Sequence, residues 1–239
     1  MLFLRLVMRH MESGHTEDDW QVKVVKPKPL LRGWFHAVAA VGAVILTFAL
    51  CVLSSDDMPR MLSMLVFGLS MVELYAVSAV YHMGTWSPRV HRVLRAIDHS
   101  NIFVLIAGTY TPLCFNVLSG WLRVASLTTI WVLALVGIAL SVLTLKLPRM
   151  VGTILYIIMG WVSIGVLPAL LEVLPLGAIA LLMFGGVLYT IGGLIYARKW
   201  PDPFPRVLGF HEVFHLFVVA GGVVFAAVIA VWVLPFPRP

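Results

Sequence analysis

The sequence predicts an all-α integral membrane protein: a seven-transmembrane helix bundle with a cytosolic N-terminus and its C-terminus outside. Three observations carry this. Of 239 residues, 61% are hydrophobic and only 12% charged, whereas a soluble domain carries roughly a quarter charged residues. The apolar residues form long unbroken runs rather than amphipathic stripes, and each run approaches or exceeds the roughly 20 residues that cross a hydrocarbon core. Basic residues collect on alternate connections, which sets the orientation.

Residues 1–33 read as a cytosolic N-terminal tail. "ESGHTEDDW" is followed by "KVVKPKPLLRG", and Pro27 and Pro29 disfavour a continuous helix there. No secretory signal peptide is expected, because Arg5 and Arg9 interrupt the short apolar stretch and no small-x-small cleavage site follows. The membrane domain, 34–239, is expected to hold spans at about 34–54, 61–82, 93–118, 121–145, 150–171, 175–197 and 207–234. Short connections favour sequential antiparallel packing.

The tail carries Lys23, Lys26, Lys28 and Arg32. The second-to-third connection has Arg89, Arg92 and Arg95, the fourth-to-fifth Lys146 and Arg149, and the sixth-to-seventh Arg198, Lys199 and Arg206. The other side offers only Arg60, Arg123 and Arg238. The net charge of +6 therefore belongs to topological anchors that meet anionic lipid, not to nucleic-acid binding. Cys51 and Cys114 lie within apolar runs, form no CxxC pair and read as small packing residues.

Charged groups inside a bilayer are costly, by about 2.5–3.5 kcal/mol each on insertion scales, and mark function. With the orientation above, His82 ends the second span, Asp98 lies one turn past Arg95 in the third, and His211 and His215 open the seventh. Separate stretches thus deliver these four residues to one leaflet. Positions i and i+4 lie about 40° apart on a helix, so His211 and His215 share a face. Ser78 lies one turn from His82 on its face. Three imidazoles plus a water make an open, tetrahedral zinc site of the catalytic kind, with Asp98 placed to bind that water or orient an imidazole. His99, about 100° from Asp98, reads as structural. His36 and His91, beside Arg32, Arg89 and Arg92, are expected to face head groups. Glu73 falls on the face opposite His82 and is expected to bond a neighbouring helix.

"HEVFH" at 211–215 also spells the zinc metalloprotease motif, whose Glu serves as general base and whose third ligand usually follows downstream. Here no Asp, Glu, His or Cys follows His215. A third ligand must come from upstream, and His82 is the best placed. A supporting acid role for Glu212 stays open.

"SAVYH" at 78–82, "RAIDHSNIF" at 95–103, "AGTYTPLC" at 107–114 and "HEVFH" together resemble the haemolysin III family. That family lies within the progestin and adiponectin receptor superfamily, whose wider group includes alkaline ceramidases. The resemblance runs from about residue 30 to the end. It implies seven helices, a cytosolic N-terminus, and Zn2+ held near the cytosolic face by His82, His211 and His215, with Asp98 and Ser78 as catalytic partners. The implied activity is hydrolysis of an amide bond in a lipid, a sphingolipid or another membrane lipid. The haemolysin name implies a second class, a membrane-perturbing or channel-like protein, and the receptors a third, a sensor; in both the zinc would be structural.

Overall fold

A computed structural model describes residues 28–143 and 148–239. The tail at 1–27 and the connection carrying Lys146 lie outside the described residues. The described chain is all helical apart from an isolated bridge between Phe204 and Leu208. The helices are α1 (Trp34–Leu53), α2 (Met58–Met83), α3 (Pro88–Val117), α4 (Gly120–Leu143), α5 (Arg149–Gly160), α6 (Leu167–Val173), α7 (Leu176–Arg198) and α8 (Phe210–Val228). A 3₁₀ stretch, Trp161–Val166, joins α5 to α6 within one span, and a π-turn at Ile229–Val233 extends α8. Among the described residues, seven segments are long and apolar enough to cross a membrane.

Local sequence explains the helix boundaries. Asp57 caps α2 by accepting from Arg60 N at 3.2 Å, and Ser87 caps α3 by accepting from Val90 N at 3.4 Å. Each cap is followed within two residues by proline, which suits a helix's first turn because its missing N–H would have no partner there. In α1, Val38, Val41, Ile45 and Phe48 are exposed. Their three- and four-residue spacing makes a lipid-facing stripe, while His36, Ala43, Thr47 and Leu50 are buried on the other face.

The most enclosed helix is α3. Its 30 residues would span about 45 Å, so it outruns the hydrocarbon core and carries Arg89, Arg92 and Arg95 beyond it. Its approach to α2 depends on Gly108, where a Cβ would stand 2.2 Å from Ser70 Oγ. Small residues let membrane helices pack closely in this way. Where the fifth span leaves α-helical geometry, the Tyr110 hydroxyl donates to Gly160 O and accepts from Ser163 N, each at 2.7 Å.

A strap precedes α1. Leu30 N and Leu31 N donate to Arg206 O and Val207 O at 3.0 and 3.2 Å. Lys28 Nζ donates to Gly84 O at 2.9 Å and His82 O at 3.3 Å, at the C-terminal end of α2. The strap turns into α1 through Gly33, whose φ of 86° lies in the left-handed region that favours glycine. Thus the N-terminal segment, the end of α2 and the loop before α8 are joined at one end of the bundle.

Candidate metal centre

That end of the bundle also holds the histidines. His82 occupies the last turn of α2, and His211 and His215 project from the first turns of α8. One ring nitrogen from each lies within 4.8 Å of the other two. Nε2 of His82 and Nε2 of His211 face each other at 3.0 Å. Around a tetrahedral zinc with bonds of about 2.0–2.1 Å, donor nitrogens stand roughly 3.3 Å apart. The three imidazoles fit such an ion with small side-chain shifts. A three-nitrogen set also leaves a fourth position free, as in catalytic zinc sites.

Asp98 stands beside this set. Its Oδ2 is 4.0 Å from His82 Nε2 and 3.7 Å from His99 Nδ1. His99 Nδ1 also lies 2.8 Å from Arg95 O. A carbonyl can only accept, so Nδ1 carries the proton, leaving Nε2 to accept from the Tyr196 hydroxyl at 3.3 Å. His99 is thus held by its own helix and by α7, outside the three-histidine set. Ser78 is buried and lines the same cavity as Asp98.

His211, His215 and Asp98 open onto a cavity lined also by Ile102, Ile106, Tyr189 and Val218. A second, almost wholly apolar cavity shares Ile106, Gly160, Trp161, Gly186 and Tyr189 with the first. Together they form a trough leading from the polar end into the membrane interior. The non-α stretch at Trp161–Val166 forms part of its wall, with Trp161 Nε1 donating to Thr190 Oγ1 at 2.9 Å.

The structure gives Glu212 a place that its motif does not suggest. Its Oε2 accepts from Gly209 N at 2.8 Å, satisfying the N-cap N–H at the start of α8, and its Oε1 is ion-paired with Arg32. The side chain is fully buried, committed to its helix N-terminus and to the strap. Glu73 meets α3, as the sequence suggests: with its amide oriented to satisfy its neighbours, Asn101 donates to Ile97 O at 3.1 Å and to Glu73 Oε1 at 3.3 Å. His91 is exposed and rests against Tyr81.

His36 corrects the expectation of a head-group histidine. It is 2% exposed and stacks on His215 with centroids 3.8 Å apart and planes 9° apart. The topology held the missing signal. A residue in the first turn of the first span lies at the same end as His82 and His211, but adjacent arginines drew it to the interface.

A profile of haemolysin III related proteins matches residues 24–226. A Hemolysin-3 homolog of Bacillus subtilis (strain 168) is 36% identical over 159 residues, 66% of this chain and 71% of that protein. Hemolysin-3 of Bacillus cereus is 36% identical over 171 residues, 71% of this chain and 74% of its own length. The monocyte to macrophage differentiation factor of Homo sapiens is 25% identical over 201 residues, 79% and 77% of the two chains. The profile match takes in His82, His211 and His215. This multi-pass membrane protein belongs to the haemolysin III family, within the progestin and adiponectin receptor superfamily.

Proposed function

We propose that the protein is a zinc-dependent hydrolase of lipid amides, working at the cytosolic face of the membrane on a sphingolipid or a similar lipid. The observation that carries this reading is the convergence of three imidazoles, two of which, His211 and His215, open with Asp98 and Ser78 onto an apolar trough. His82, His211 and His215 would hold the ion. Zinc, when bound, supplies Lewis acidity and lowers the pKa of water towards neutrality.

The chain's own groups would do the rest. The trough takes an acyl chain and excludes bulk water, leaving the amide carbonyl at its polar end. Asp98 Oδ2 accepts a proton as the oxygen of water bonds to the carbonyl carbon. Ser78 offers its hydroxyl to the attacking water or to the developing oxyanion. When the C–N bond breaks, the proton held on Asp98 passes to the leaving nitrogen, giving a fatty acid and an amine.

Purified protein should contain close to one zinc per chain and release fatty acid from a lipid amide. His82→Ala should lose both metal and release, whereas Asp98→Asn should keep the metal and lose release by a factor of at least about 10². Full zinc occupancy without cleavage across a broad panel of lipid amides would remove the hydrolase reading. The names of the Bacillus relatives favour a second reading, membrane perturbation with structural zinc. Dye leakage from liposomes that persists in Asp98→Asn would support it over hydrolysis.

A further inference from the structure

We propose that His36 is a positioning residue for the metal centre: its imidazole, stacked on His215, sets the orientation in which His215 meets the ion. This rests on the reading of His82, His211 and His215 as metal ligands, and it goes beyond that set. Imidazoles that bind metals ordinarily donate their other ring N–H to a carboxylate, a carbonyl or water, and that bond fixes the ring's direction. No hydrogen bond holds the His215 ring among the described residues, and its buried Nδ1 has no partner. Its ring is held through its face instead, by an imidazole 3.8 Å away and nearly parallel.

His36 is itself well braced. Tyr75 packs against it with centroids 5.2 Å apart and planes tilted by 53°. Four residues earlier, Arg32 pairs with Glu212. Arg32 with Glu212 and His36 with His215 therefore form two successive rungs between the entry to α1 and the first turns of α8. The second rung cannot be a fourth ligand for the same ion. In a near-parallel stack, the in-plane lone pairs of His36 run alongside those of His215 rather than converging with them. Neither ring nitrogen of His36 has a partner among the described residues, so no hydrogen bond within them accounts for a histidine at this position. What the position supplies to His215 is a flat face.

Two substitutions separate the face from the nitrogens. His36→Phe keeps a flat ring and removes both nitrogens; His36→Leu keeps apolar volume and removes the flat ring. Zinc affinity would be measured by chelator competition on purified protein in detergent, together with the visible spectrum of the Co2+-substituted form. His36→Phe should bind zinc within about threefold of wild type and keep the Co2+ bands. His36→Leu should bind about 10–100-fold more weakly, the usual cost of losing an outer-shell partner, with shifted or weakened Co2+ bands that a merely structural role would leave unchanged. Should His36→Leu fail to give a monodisperse protein, His36→Met, with its adaptable side chain, makes the same comparison. Equal affinities and spectra for wild type and the aliphatic variant would overturn the proposal, as would a Phe variant as weak as the aliphatic one. Wild-type protein that binds no zinc would overturn the metal reading itself, which distinguishes the two failures.

Discussion

At the scale of single residues, Glu212 shows how a motif can be spelled correctly and read wrongly. In a metalloprotease it would be the general base; here its two oxygens are taken by Gly209 N and Arg32. Glu212→Gln keeps an acceptor for the cap and removes the charge that balances Arg32. With Arg32 partly exposed, the loss should be about 1–3 kcal/mol, read as a lower midpoint of thermal unfolding, while zinc stoichiometry stays unchanged. Loss of zinc with stability intact would contradict this role. The three candidate ligands were legible in the sequence because helical spacing and alternating topology both constrain them. The pairing of Arg32 with Glu212 was not. A single contact between side chains 180 residues apart leaves no periodic trace, and its energy depends on burial that no sequence window reports.

At the scale of elements, apolar runs revealed the spans because each helix must satisfy its backbone internally within lipid. The break in the fifth span escaped notice, since hydropathy averaged over Arg149–Val173 passes smoothly across Trp161–Val166. Gly160, Gly165 and Pro168 were its only local signs. The contact of α2 with α3 offers a sharp test. In Gly108→Ala the new Cβ would meet Ser70 Oγ at 2.2 Å and Ser70 Cβ at 2.6 Å. The substitution should cost about 1–3 kcal/mol, and adding Ser70→Gly should restore much of it. Unfolding of the single and double variants in mixed micelles measures both. A stable Gly108→Ala would mean that the helices lie farther apart than described.

At the scale of the whole molecule, the far end of the bundle is pinned much as the strap pins the near end. Arg60 donates to Leu234 O at 2.6 Å and to Phe236 O at 2.7 Å, and Arg238 pairs with Asp57 at 3.1 Å. Both ends of the last span are thus tied to α2 or its connections. The basic connections among the described residues lie at the same end as the histidines, and the positive-inside rule predicts that this end is cytosolic. A reporter that works only outside the cytosol should be active when fused after Pro239. Activity of a cytosolic reporter there would reverse the orientation and the side on which a lipid amide is cleaved. The wide separation along the chain of His82 from His211, 129 residues, has a further consequence, for biosynthesis. A nascent chain emerging from the ribosome holds one of the three imidazoles through five further helices. On the proposed metal reading, all three imidazoles could hold the ion only after the final span has inserted, so the complete site would be among the last parts of the membrane domain to form.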